Sequence, residues 1–141
     1  MTALVVDASV WVAAADSTDA LSTPSRALLR AAMRQQHFIA LPAIARLEVA
    51  CALSRRLRDP RRGRELADGL LQSPLVTELE PRPLLADALT VGTESFLRAS
   101  DAFYAAVARS EDGIIISWDE ELVRRANAAT PDAWLTKHGR E

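Results

Sequence analysis

Short apolar runs alternate along the chain with longer stretches of helical spacing. Leu4-Val5-Val6 is a continuous, β-branched run, which suits a strand buried on both faces of a parallel sheet. Phe38-Ile39-Ala40-Leu41, ended by Pro42, is a second such run. Ile114-Ile115-Ile116 is the purest of the three and predicts a central parallel strand. Leu75-Val76-Thr77-Glu78-Leu79 alternates apolar and polar residues, as a half-exposed or edge strand would, and Ala133-Trp134-Leu135-Thr136 reads as a further short edge strand. Between these runs, Val10 to Ala15 suggests a short buried helix or turn, followed by the polar loop Asp16-Ser17-Thr18-Asp19. Thr23-Pro24 offers an N-cap with proline at the first helical position, and the helix to about Gln36 sets Leu28, Leu29, Ala32 and Met33 on one face. Further helices are expected over Ala43 to Arg58, Arg61 to Gln72 after the break at Asp59-Pro60, Pro83 to Phe96, from a Ser100 cap to Gly113, and Glu120 to Ala128. Gly92 weakens the Pro83 to Phe96 helix near its end. Phe103, Ala106 and Val107 supply the packing face of the helix after Ser100.

Strands alternating with helices make this an α/β chain, and 141 residues suit one domain able to bury a real core. No internal repeat, low-complexity linker or domain boundary interrupts it. No apolar run approaches the ~20 residues of a membrane helix. The N-terminus carries no basic segment, apolar stretch and cleavage site in succession, so the expected location is the cytoplasm.

Composition removes several chemistries. The single cysteine, Cys51, excludes an intramolecular disulfide and any multi-cysteine zinc site. His37 and His138 fall before a strand and in the tail, a poor basis for a histidine metal site, and no G-x-S-x-G elbow exists. The net charge of −2 argues against a generic nucleic-acid binder. Its distribution tells more, because Arg55, Arg56, Arg58, Arg61, Arg62 and Arg64 crowd one short segment in which Asp59 is the only acid. A solvated helix surface or a dimer contact would explain that segment as well as RNA phosphates would.

Four acids remain to be explained. Two strands end in one, Asp7 and Asp119; two helices carry one near the start or in the N-terminal half, Asp101 and Glu48. Asp7 and Asp119 are equally suited to capping the helices that follow. Asp101 suits an ordinary first turn. Glu48, on a face with Ile44, Leu47 and Cys51, would pair with Arg55 two turns along if its role were structural. In open α/β sheets, however, ligands bind beyond the carboxyl ends of the strands. Four carboxylates converging there repel one another unless a cation sits among them. Hard oxygen donors without Cys or His point to Mg²⁺ or Mn²⁺ rather than Zn²⁺. Such an ion commonly serves phosphoryl chemistry, and the arginines would give a polyanion a landing surface.

The sequence Val6-Asp7-Ala8-Ser9, then Leu41-Pro42 leading to Glu48-Val49, then Ser100-Asp101-Ala102-Phe103-Tyr104, then Ile116-Ser117-Trp118-Asp119 resembles the PIN-domain ribonucleases, and among them the VapC-type toxins of toxin–antitoxin pairs. The resemblance covers nearly the whole chain. It implies a three-layer α/β/α fold with a parallel sheet, and a Mg²⁺- or Mn²⁺-dependent endoribonuclease with Asp7, Glu48, Asp101 and Asp119 in its acidic pocket. Ser9 and Ser117 match hydroxyls that orient carboxylates or water. The resemblance further implies a homodimer held inactive by a cognate antitoxin. Arg55, Arg56, Arg61 and Arg62 are the candidate RNA contacts. Trp118 would pack inward or stack on a base, and Asp16 and Glu120 are additional acid candidates for the metal shell.

A receiver domain would need paired acids after the first strand and a lysine late in the sheet, but Asp7 is alone and the only lysine is Lys137. A haloacid-dehalogenase-type phosphatase would carry Asp-x-Asp where Ser9 stands. No glycine-rich dinucleotide fingerprint or P-loop is present. The alternative from another class is a catalytically silent PIN-like module that only binds RNA or protein.

Overall fold

Parallel pairing of four short strands brings every strand's carboxyl end to one edge of the molecule, and the helices between them cover the sheet. The computed structural model describes residues 2–139. Its elements are β1 (Leu4–Val6), α1 (Ala8–Ala15), α2 (Ser22–Arg34), β2 (Ile39–Pro42), α3 (Ile44–Leu57), α4 (Pro60–Leu70), β3 (Val76–Leu79), α5 (Pro81–Glu94), α6 (Ala99–Ser110), β4 (Ile114–Ile116), α7 (Glu120–Ala126) and α8 (Pro131–His138). The sheet order is β3-β2-β1-β4, all parallel. This is the expected three-layer α/β/α arrangement.

β1 lies between β2 and β4, and Leu4, Val5 and Val6 are fully buried, as an unbroken apolar run predicts. The indole N–H of buried Trp11 donates to the Val6 carbonyl at 3.0 Å, tying α1 back onto the strand it follows. α3 and α4 meet at Asp59, whose side chain accepts the Arg62 N–H at 3.1 Å, with Pro60 in the first turn of α4. Their approach is close: a Cβ on Gly63 would stand 2.7 Å from the Ser54 nitrogen. Gly92 serves α5 the same way, since a Cβ there would meet that of Ala102 on α6 at 2.8 Å. The glycine that weakened the helical pattern is what allows these two helices to touch.

Several elements differ from the pattern. Ala133 to Thr136 belongs to α8, not to an edge strand. Thr130 accepts the Ala133 N–H at 3.1 Å and Pro131 opens the helix, a start signal that outweighs four residues of apparent alternation. β4 is an edge strand rather than a central one, bordered outside by a single bridge from Ile116 to Ala129. An apolar run reports burial by covering helices, not rank within the sheet. α2 starts at Ser22, which leaves Thr23 and Pro24 inside its first turn. Arg98, not Ser100, occupies the cap position of α6. The core side of α3 is Ala45, Val49 and Leu53, while Leu47 is 64% exposed and Cys51 is also exposed; Glu48 is therefore half-buried at the border of the two faces.

Candidate active site

The register Val6↔Ile116 between β1 and β4 makes the residues that follow, Asp7 and Ser117, neighbours at the sheet edge. The buried Ser117 hydroxyl donates to Asp7 Oδ2 at 2.8 Å and accepts the Asp119 N–H at 2.9 Å. Ser9 N–H lies 3.4 Å from the same Asp7 oxygen, and Ser9 Oγ accepts the Trp118 N–H at 3.2 Å and stands 3.4 Å from Ser117 Oγ. The two serines thus lock the ends of β1 and β4 together and aim Asp7. Asp7 and Asp119 also cap α1 and α7. Capping and site placement coincide because the strand end and the helix start are the same residue.

Glu48 enters from α3. The Tyr104 hydroxyl donates to its Oε1 at 2.8 Å and accepts the Ala8 N–H at 3.3 Å, so Tyr104, fully buried on α6, ties α3 to the start of α1. The partner foreseen for Glu48, Arg55, is exposed; tyrosine fills that role instead. Burial raises the Glu48 pKa, and repulsion from Asp7 and Asp101 adds to this against the lowering hydrogen bond from Tyr104. Burial also raises the Tyr104 pKa, together with the charges of Asp7 and Glu48, so the phenol keeps its proton and remains a donor.

Asp101, buried in the first turn of α6, completes the group with Asp119. The Arg98 guanidinium joins them. Its Nε lies 3.0 Å and its Nη2 2.9 Å from Asp101 Oδ2, Nη2 also contacts Asp119 Oδ2, and Nε is 3.3 Å from Glu121 Oε2. Burial nevertheless outweighs Arg98 at Asp101 and raises its pKa, with Asp119 and Asp7 adding to the effect. At Asp119 burial also pulls upward, but the Glu121 N–H, Arg98 and the Leu122 N–H prevail and hold it below its usual value. Asp7 and Asp101 add to the upward shift of Glu48, and Asp119 and Asp7 to that of Asp101, so each of these two carboxyls feels its acidic neighbours.

Among the described residues, no three His, Cys, Asp or Glu side chains are grouped as they would be around a metal ion. The donor chemistry still fits a hard divalent cation, since the set consists of carboxylates held in partial burial and pressing on one another. The positive charge that such a set requires is supplied by Arg98.

The other candidates divide. Trp118 packs inward, half-buried, with its indole N–H on Ser25 Oγ at 2.8 Å, which anchors α2. Asp16 is taken up by Thr18 and Arg56, and Glu120 is exposed; Glu121 is the acid that reaches Arg98. Arg56 pairs with Asp16 at 2.9 Å and Asp19 at 2.7 Å, and it lines both a cleft of about 340 Å³ bordered by Ser9, Glu48 and Trp118 and the larger cleft of Arg55 and Arg58. Arg55 and Arg62 are exposed, and Arg61 forms a surface pair with Glu65. His37 meets Trp134 edge-on and His138 packs against it at a tilt, away from the acids in role. Arg98, Tyr104 and Glu121 escaped the sequence reading. Arg98 and Tyr104 flank Asp101 at three-residue spacing, and a tyrosine in an alanine-rich helix needs a partner for its hydroxyl once buried.

A family model described as PIN domain matches residues 4–128. Among solved structures, the crystal structure of PAE2754 from Pyrobaculum aerophilum superposes with a TM-score of 0.73 at 23% identity, covering 99% of this chain and 91% of that one. No curated protein matches.

Proposed function

This chain belongs to the PIN-domain family, a family of nucleases, and from that premise we propose that it is a Mg²⁺- or Mn²⁺-dependent endoribonuclease of the VapC toxin type. The observation that supports this reading most is the carboxylate group at the strand ends, with Asp7 aimed by Ser117 and Glu48 by Tyr104. Asp7, Glu48, Asp101 and Asp119 would hold the divalent ion. When bound, that ion supplies the positive charge that offsets the scissile phosphate and acidifies water.

The chain's own residues prepare the rest. Ser117 occupies one Asp7 oxygen and Tyr104 one Glu48 oxygen, fixing each carboxylate while its second oxygen stays available. Ser9 and Ser117 tie the two strand ends together, so acids from β1 and β4 are presented along one edge. The cleft beside Ser9, Glu48 and Trp118 can accept a nucleotide, and Arg55, Arg61 and Arg62 extend positive charge along α3 and α4 for the RNA backbone. Pairing of two copies and restraint by a cognate antitoxin belong to the same reading. Exposed Leu85, Leu89 and Phe96 give it an apolar face for protein contact. No helix among the described residues is long and apolar enough to cross a membrane.

Purified protein should cleave RNA only with Mg²⁺ or Mn²⁺, and both EDTA and Asp7→Asn should abolish cleavage. RNA binding without cleavage under every metal condition would assign the silent module instead.

A further inference from the structure

Arg98 stands where the charge of a helix start disfavours it. The first turn of α6 carries partial positive charge from unpaired N–H groups, and a guanidinium there is opposed by the dipole. Its position is set by the acids: Asp101 and Asp119 each give it Oδ2, and Glu121 gives it Oε2. The side chain is nonetheless 59% exposed, so it lies over the rim of the acidic group and not beneath it.

Counting acceptors shows what a metal ion would meet. Asp119 Oδ1 accepts the Glu121 N–H at 2.8 Å and caps α7, while Oδ2 is held by Arg98. Each of these oxygens keeps a second lone pair, so an ion can add beside either bond; where it competes for one, the two bonds differ in what gives way. Breaking the first uncaps a helix. Breaking the second moves one exposed side chain and no backbone. A guanidinium and a divalent ion also cannot share the same two carboxylates without strong repulsion.

Resting on the nuclease reading above, we propose that Arg98 is an exchangeable counter-ion. It neutralises Asp101 and Asp119 in the metal-free protein, yields them to the divalent ion, and then turns to a phosphate of the RNA at the rim. A guanidinium suits both tasks, because its planar fork matches carboxylate and phosphate oxygens alike. Metal loading and substrate binding would thereby be coupled, because Arg98 can meet a phosphate only once it is released from Asp101 and Asp119.

Arg98→Gln and Arg98→Lys test this, with Mn²⁺ binding measured by titration on the protein without RNA and folding checked by thermal melts. Arg98→Gln should bind Mn²⁺ about fivefold more tightly, the factor equivalent to losing ~1 kcal/mol of competition. Arg98→Lys keeps the charge and should stay near the wild-type affinity. At saturating Mn²⁺, Arg98→Gln should raise KM for RNA several-fold with a smaller change in kcat. Mn²⁺ binding by the wild type that is unchanged or weakened in Arg98→Gln overturns the exchange and leaves the nuclease reading standing. Tighter Mn²⁺ binding with an unchanged KM overturns the phosphate contact. Absence of Mn²⁺ binding in all three proteins overturns both the exchange and the metal-dependent reading.

Discussion

Ser117 Oγ donates to Asp7 Oδ2 at 2.8 Å across 110 residues of sequence, and through this bond the end of β4 sets the direction of the acid at the end of β1. The same oxygen accepts the Asp119 N–H, so one hydroxyl serves two acids from two strands. Ser117→Ala removes the donor to Asp7 and leaves a partly buried N–H without its acceptor. A loss of about 1–3 kcal/mol is expected in denaturant melts, together with reduced RNA cleavage. Ser9→Ala, whose hydroxyl makes longer contacts, should cost less on both measures.

The residues at the ends of β1 and β4 were legible because an apolar strand that stops at a polar residue announces a sheet edge. Parallel pairing then brings such edges together without further information. The Tyr104–Glu48 bond was not legible: it joins two helices 56 residues apart, and nothing in the spacing of either helix encodes their crossing. Arg98 was hidden for a different reason. A cation among the acids is required by electrostatics, but a basic residue at a helix start reads as a poor cap rather than as that cation. The Ala133 to Thr136 segment shows the reverse error, where four alternating residues suggested a strand although Thr130-Pro131 carried a helix start.

The helix pairs offer a packing test with its own control. Gly63→Ala places a Cβ 2.7 Å from the Ser54 nitrogen and 2.8 Å from the Ala50 carbonyl oxygen, both backbone atoms. Overpacking of this kind costs about 1–3 kcal/mol. Gly69→Ala, in the same helix with nothing within 4 Å of its Cβ, should instead stabilise by about 0.5–1 kcal/mol through helix propensity. Urea titrations of the two variants should shift in opposite directions; equal shifts would mean that α3 and α4 do not approach as described.

Acid stability tests the Asp16–Arg56–Asp19 cluster. Hydrogen bonds from the Thr18 hydroxyl and from Arg56 lower the Asp16 pKa, and Arg56 together with the Leu21 N–H lowers that of Asp19. Carboxyls depressed in the folded state contribute stability that is present above the unfolded value, ~4, and lost as pH falls through the folded values. Arg56→Gln relaxes both carboxyls toward the unfolded value. The Tm difference between wild type and Arg56→Gln should therefore be full at neutral pH and close below pH ~4. A difference that stays constant to low pH would place the role of Arg56 outside this cluster.

Salt dependence tests the arginines of α4. Among the described residues Arg61 is held by a surface pair with Glu65, and Arg62 is exposed, so both can meet phosphates. Replacing both by Gln should weaken RNA binding and flatten its log–log salt slope by up to ~0.7 per lost contact on a single strand. A slope that does not change would return these arginines to the protein surface or to a protein contact.

Glu48→Gln separates a metal pocket from four acids with unrelated structural duties, and it does so without RNA. Gln keeps an oxygen for the Tyr104 hydroxyl, so the tie between α3 and α6 survives the change. What disappears is a charge that burial disfavours and that Asp7 and Asp101 repel. A carboxyl whose pKa is raised by folding is destabilising wherever it is ionised, so the metal-free variant should be as stable as the wild type at neutral pH, or more so. Mn²⁺ should then act in the opposite sense. A ligand bound only by the folded state stabilises by RT ln(1 + [L]/Kd), about 2.7 kcal/mol at ~100 Kd, and the variant, lacking one donor, should gain less than the wild type at the same concentration. Thermal melts of both proteins in EDTA and in Mn²⁺ make the comparison. A variant less stable in EDTA, beside a wild type indifferent to Mn²⁺, would show that Glu48 serves the fold and that the carboxylates at the strand ends do not bind metal.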